Sequence, residues 1–113
     1  MPLETKKYLY DVQRAVQLLQ EFTAGKTFDD YLREAMLRAA VEREFEIIGE
    51  ALAQLAKRDA TVVSKISGYR RIIAFRNILI HGYADVDYQL VWGIVEAKLP
   101  VLAQEIAELL KAK

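Results

Sequence analysis

The sequence contains no cysteine. No disulfide framework, thiolate zinc site or cysteine nucleophile can therefore be built from it. It has a single histidine, His81, so any site that needs several imidazoles within one chain is excluded as well. Only two prolines and five glycines punctuate its 113 residues, which leaves long uninterrupted stretches of the kind helical proteins have. No run approaches the ~20 apolar residues of a membrane span, and the opening "MPLETKKYLYDVQ" lacks the basic-then-apolar layout of a signal peptide. A cytoplasmic protein without a membrane partner is the expectation. One sign of charge is missing locally. Between Ala60 and Ala84 there is no Asp or Glu, while Lys65, Arg70, Arg71 and Arg76 give that segment a charge of +4 in a chain of zero formal net charge.

What is present is a globular composition. Apolar residues make up 53% and charged residues 28%, which argues against disorder, and the length suits one domain with a real core. A single domain over residues 1–113 is expected, folding alone or as a small oligomer.

Periodicity supplies the elements. From Thr5 to Thr23 apolar residues recur at helical spacing (Tyr8, Leu9, Val12, Val16, Leu19, Phe22), with Gly25 placed to end the run. Thr27, followed by Asp29 and Asp30, reads as the N-cap of a short piece over residues 28–33. A long helix follows from about Glu34 to about Arg58, with Ala35, Ala39, Phe45, Ile48, Leu52 and Leu55 as its core stripe. "RDATVVSKISGY" reads as a loop with one short turn. Gly68 and Gly82 bracket a central helix. The last region, Asp87 to about Ala112, carries a stripe from Leu90, Val91, Ile94 and Val95 through Leu99, Leu102, Ile106 and Leu109, and Pro100 should kink or restart it. No stretch alternates as a strand. The fold class is all-α, an up-and-down bundle of four main helices plus short helical pieces.

The central segment "YRRIIAFRNILIHGY" raises the functional question. Its Ile72, Ile73, Ala74, Phe75, Ile78, Leu79 and Ile80 lie on all sides of the helix axis, so the helix is expected to be enclosed by others or by a partner chain. Arg76, Asn77 and His81 are then polar groups that need partners or a task. Asn77 and His81 are four apart and share a face, with Arg76 about 100° from Asn77. Each alone has an ordinary reading: a lone histidine is more often a satisfied structural group, and Arg76 can pair with Glu46 or Glu50 on the long helix. One histidine without a tight carboxylate pair is a poor metal site, so no metal and no cofactor is called for. Together the three suit cleavage of RNA through its own 2′-hydroxyl, which needs a base, an acid and a cation on the phosphorane. One histidine cannot easily perform both proton transfers, whereas a two-fold dimer brings two copies of each group into one cleft.

These residues also carry a resemblance. "RNILIHGY" matches the R-x4-H-x-Y pattern of HepT-like proteins of the HEPN superfamily, with Arg76, His81 and Tyr83 at the motif positions. "AVEREFEIIGEAL" and "DYQLVWGIVEAKLPVL" are similar to other HepT segments, so nearly the whole chain is covered. The resemblance implies an α-helical homodimer whose motifs meet at the dimer interface as a metal-independent endoribonuclease, the toxin of a type VII-like toxin–antitoxin module. It implies as partner a minimal nucleotidyltransferase of the MntA kind, which transfers AMP to the motif tyrosine, here Tyr83. Arg76 and His81 are thereby the expected catalytic pair and Asn77 a supporting residue. Two other readings stand beside this one: a non-catalytic nucleotide-binding or partner subunit of a nucleotidyltransferase complex, and a polar trio that only fixes dimer register.

Overall fold

A computed structural model describes residues 1–111, and among them there are helices and turns but no strand. The all-α expectation is therefore met. The first helix, α1 (Leu3–Thr23), starts slightly before the predicted boundary and ends at Thr23. The Lys26 N–H then donates to the Thr23 carbonyl at 3.0 Å across a turn through Ala24 and Gly25, and the φ of 71° at Gly25 is what the third position of that turn requires, so this glycine serves the turn after the helix rather than its cap. Thr27 then opens α2 (Phe28–Arg33) with a reciprocal capping box: its hydroxyl accepts from the Asp30 N–H at 3.1 Å, and the Asp30 carboxylate accepts from the Thr27 N–H at 2.9 Å. That backbone donor, aided by the Thr27 hydroxyl and nearby cations, holds the Asp30 carboxyl below its ordinary range.

The long helix α3 (Ala35–Arg58) is the spine of the molecule, packed by α1 on one side and by α5 (Tyr69–His81) on another. Its buried stripe is Leu37, Val41, Phe45, Ile48, Leu52 and Leu55. Ala35 and Ala39, expected in that stripe, are exposed. Two steps of four counted from Phe45 lead back to Val41 and Leu37. The two alanines fall on the outer face, where they supply helix propensity and no burial.

Between α3 and α5 the predicted loop holds a four-residue helix, α4 (Ala60–Val63), capped by the Asp59 carboxylate, which accepts from the Val62 N–H at 3.3 Å. The other Asp59 oxygen accepts from the buried Thr5 hydroxyl at 3.0 Å and ties the start of α1 to the end of α3. Gly68, with φ 68°, precedes α5, and the Gly82 N–H closes it on the Ile78 carbonyl at 2.8 Å. A 3-10 turn, Tyr83–Asp85, follows.

The last region divides as Pro100 requires. Asp87 caps α6 (Tyr88–Ala97) by accepting from the Gln89 and Leu90 N–H groups, Lys98 breaks the helix, and α7 (Leu99–Lys111) restarts with Pro100 second in line. In a first turn the missing proline N–H leaves no bond unmade. The expected end at about Ala112 lies outside the described residues. Leu90, expected in the stripe, is 50% exposed, because the buried face of α6 is built from Val91, Trp92 and Val95. Trp92 and Tyr88 gather around the buried Tyr31 of α2, with centroids 5.4 and 5.7 Å away, so the two short elements brace each other.

Of the neighbours expected around the central helix, one chain supplies those on one face. Only Ile72, Phe75 and Leu79 of α5 are buried, the phenyl of Phe75 standing 5.4 Å from that of Phe45. Ile78 and Ile80 remain 45% and 39% exposed, and Ala74, Asn77 and His81 face outward. Within one chain α5 is thus a one-sided surface helix. Its all-round apolar character is matched by a neighbour on one face alone. Among the described residues no helix is long and apolar enough to cross a membrane.

Candidate active site on the central helix

The geometry begins at a glycine. Gly49 lies mid-way along α3, where glycine costs about 1 kcal/mol relative to alanine. The reason is contact: a Cβ added there would stand 2.2 Å from the Arg76 Cβ and 2.7 Å from its Cγ. Helix α5 therefore rests its Arg76 stem directly on the α3 backbone, nearer than any side chain at position 49 permits. The seat leaves Arg76 Nε buried and without a partner and sends the guanidinium outward in one direction.

Two groups receive it. Nη1 donates to the Asn77 side-chain oxygen at 2.5 Å, and Nη2 donates to the Glu50 carboxylate. Of the two carboxylates the sequence offered to Arg76, Glu50 takes it, while Glu46 pairs with Arg43 at 3.4 Å. The Gln54 amide donates to Glu50 at 3.1 Å. That hydrogen bond, and then the Arg76 charge, hold the Glu50 carboxyl below the usual carboxylate range against the opposing effect of burial. Glu50 therefore stays ionised at neutral pH and keeps its hold on Arg76. Glu46, Glu50 and Arg76 all line one open groove of about 540 Å³ between α1, α3 and α5.

His81 and Tyr83 lie elsewhere. His81 is the last residue of α5 and is exposed, one helical turn beyond Asn77 on the same face. Among the described residues it is bonded neither to Arg76 nor to Asn77, and it does not line the Arg76 groove. Tyr83, just past Gly82, is 75% exposed in the 3-10 turn. Within one chain Arg76 is partly buried and partnered, and Asn77 and His81 are at the surface because α5 is covered on one side only. Asn77 bridges the two regions, holding Arg76 by its side chain and sharing a face with His81. Within one chain, cation and imidazole are near but separate.

Gly49 and Gln54 were not singled out by sequence reasoning. A glycine inside an otherwise strong helical pattern was the available signal, since it implies close approach. Gln54 gave none. Among the described residues no group of three or more His, Cys, Asp and Glu side chains is placed to hold a metal ion.

A family model described as ribonuclease HepT-like matches residues 12–109, which include Gly49, Glu50 and the whole of α5. The chain belongs to the HepT-like ribonuclease family. Among HepT-like relatives, a candidate RNase of Methanocaldococcus jannaschii is 33% identical over 103 residues, covering 91% of this chain and 94% of that protein. The "Probable ribonuclease HepT" of Thermococcus cleftensis is 34% identical over 106 residues, covering 94% of this chain and 96% of that protein. A longer M. jannaschii protein, named as a gamma-glutamylcyclotransferase and candidate RNase, is 33% identical over 111 residues; this HepT-like chain is covered to 98% but spans only 50% of that relative. No solved structure matches the chain.

Proposed function

We propose that the chain is a metal-independent endoribonuclease, acting as a homodimer in the cytoplasm as the toxin of a type VII-like toxin–antitoxin pair. The observation that carries this reading is the presentation of Arg76, Asn77 and His81 along one surface helix in a member of the HepT-like ribonuclease family. In the reaction the ribose 2′-oxygen attacks the adjacent phosphorus and the bond to the 5′-oxygen breaks, giving a 2′,3′-cyclic phosphate and a 5′-hydroxyl. One His81 takes the 2′-hydroxyl proton, and His81 of a second copy protonates the leaving 5′-oxygen. Arg76 donates to the phosphorane oxygens, aimed by Gly49 beneath it and Asn77 beside it. The outward apolar face of α5, with Ile78 and Ile80, supports the pairing of two copies around it.

Control falls on Tyr83. Its exposure supports access by a minimal nucleotidyltransferase of the MntA kind. The phenol oxygen attacks the α-phosphorus of ATP, the phenol proton is lost and pyrophosphate leaves. The attached AMP then sets a negative charge two residues from His81, where it repels and occludes an RNA phosphate.

One observation favours a second reading. The guanidinium of Arg76 is already held by Glu50, as suits a non-catalytic nucleotide-binding or partner subunit of a nucleotidyltransferase complex. The experiment that separates them is cleavage of RNA, transfer RNA included, by protein made without any partner and with a chelator present. Cleavage by the wild type and none by His81→Ala or Arg76→Ala upholds the ribonuclease. Absence of cleavage by protein whose intact mass shows it unmodified replaces it with the subunit reading.

A further inference from the structure

The acid-free segment between residues 60 and 84 is only partly used by this chemistry. Arg76 is consumed at the site, but Lys65, Arg70 and Arg71 are not, and the structure gathers them around the start of α5. All three are exposed. The ion pairs among the described residues engage Lys7, Lys26, Arg33, Arg43, Arg58 and Arg76, and none engages Lys65, Arg70 or Arg71. Lys98, from the break between α6 and α7, reaches the same place, its Nζ 3.5 Å from where a Cβ on Gly68 would stand.

The local backbone adds to this charge. No side chain caps the N-terminus of α5 and no acid occupies its first turn, so nothing within α5 itself offsets the positive end of the helix dipole. A shallow depression of about 320 Å³ lies there, walled by Ser64, Ser67, Tyr69, Arg70 and Arg71, with no carboxylate in its lining. The guanidinium of Arg70 sits over the Tyr69 ring at 5.4 Å. One acid stands nearby: Glu105 of α7 accepts from the Ser67 N–H at 3.0 Å and from its hydroxyl at 2.6 Å, which fixes the turn before Gly68. One engaged carboxylate against four cations leaves the patch positive.

Helix geometry connects this patch to the reacting groups. Arg70, Asn77 and His81 are spaced by seven and four residues, so Asn77 and His81 fall about 20° to either side of Arg70 around α5, within an arc of about 40°. All three are exposed. The Cα atoms of Arg70 and His81 lie about 16 Å apart along the axis, with Asn77 between them.

We infer that the start of α5, with Lys65, Arg70, Arg71 and Lys98, is a docking site for the backbone of single-stranded RNA, which then runs along the exposed face of α5 to Asn77 and His81. This rests on the ribonuclease reading in that RNA is the ligand. Phosphates away from the scissile bond are held by cations that carry no other partner, and the half-buried Tyr69 offers a ring beside them. The scissile phosphate reaches Arg76 last, where it must compete with Glu50.

The test uses the whole chain and one RNA sequence in two forms: unmodified for cleavage, and 2′-O-methylated throughout for binding, since blocking the 2′-oxygen prevents the reaction. One variant combines Lys65→Gln, Arg70→Gln and Arg71→Gln. A control combines Lys6→Gln, Arg14→Gln and Lys57→Gln, which removes the same charge from exposed positions on α1 and α3. The docking variant should bind the methylated RNA at least ten-fold more weakly. Its log–log salt dependence should flatten by about 2, since each phosphate left without its cation takes about 0.7 from the slope. Its KM should rise while kcat stays within about two-fold, and the control should behave as wild type. Equal weakening by both variants overturns the inference, because net charge and not place is then responsible. Wild-type binding by the docking variant overturns it too, as does a variant that keeps RNA but loses an acidic protein partner. A wild type that cleaves nothing sinks the ribonuclease reading alone, and the methylated RNA still decides the docking site.

Discussion

At the scale of single residues, the contact between Gly49 and Arg76 is the tightest constraint on the site. Alanine at 49 gains helix propensity of about 1 kcal/mol, but its methyl would overlap the Arg76 stem, and overpacking of this kind costs about 1–3 kcal/mol. Gly49→Ala should therefore lower the melting temperature and RNA cleavage together. Adding Arg76→Gly should recover part of the stability and none of the activity, a coupling that a double-mutant cycle by thermal melting would expose. Additive costs would show that the two residues do not share the seat.

Glu50 gives a second expectation at this scale. Its carboxyl is held below the ordinary range by Gln54 first and Arg76 second, so its contribution to stability is complete above the unfolded value and is lost only as pH falls through the lower folded one. Across neutral pH the pair with Arg76 is intact. If Arg76 receives the scissile phosphate as proposed, that phosphate displaces or shares the Glu50 contact, and Glu50→Gln should lower the KM for RNA by several-fold without introducing a new ionisation between pH 6 and 8. A KM unchanged in steady-state kinetics would mean that phosphate and Glu50 do not compete.

At the scale of elements, the ends were easier to read than the faces. Thr27, Asp87, Gly68 and Gly82 announce their boundaries because capping is chemistry between residues a few positions apart, all visible in the sequence. The outward turn of Ala35, Ala39 and Leu90 was not visible, since alanine and leucine suit either side of a helix and the neighbour decides. The same holds for α5: apolar residues all round it say that it can be covered, not by what. Arg76, Asn77, His81 and Tyr83 were legible as a motif, while the Gly49 seat beneath them needs two helices in contact and so lies beyond local pattern. Asp59 is the element-scale joint to test. It caps α4 and is the acceptor for the buried Thr5 hydroxyl of α1, so Asp59→Ala removes a cap and orphans a donor. Each effect is about 1 kcal/mol or more, and the loss should appear in thermal melts. Cleavage measured well below the melting temperature should be unaffected.

At the scale of the whole molecule, one chain brings one imidazole and one engaged guanidinium, that of Arg76, to the candidate site, with Ile78, Ile80 and Leu90 exposed on or beside α5. An apolar groove of about 400 Å³ runs between α5 and α6, floored by Ala74, Phe75, Ile78, Leu90 and Ile94. If both imidazoles of a pair are needed, then co-expressing wild-type and His81→Ala chains in known ratios should reduce cleavage as the square of the wild-type fraction. Two chains that act separately would give a straight line instead, and sedimentation of the same mixtures would show whether they pair at all.

The notch at position 49 also governs how this chain can change in length. Inserting one residue between Phe45 and Gly49 rotates everything after it by about 100°, which carries the notch out from under Arg76 and puts a side chain in its place. Substitutions along the outer face of α3 leave the count intact, and so does added length before Leu37 or in the turns around α4. The helix is measured there in residues rather than in hydrophobicity, and an insertion scan would find a short forbidden interval inside a permissive protein.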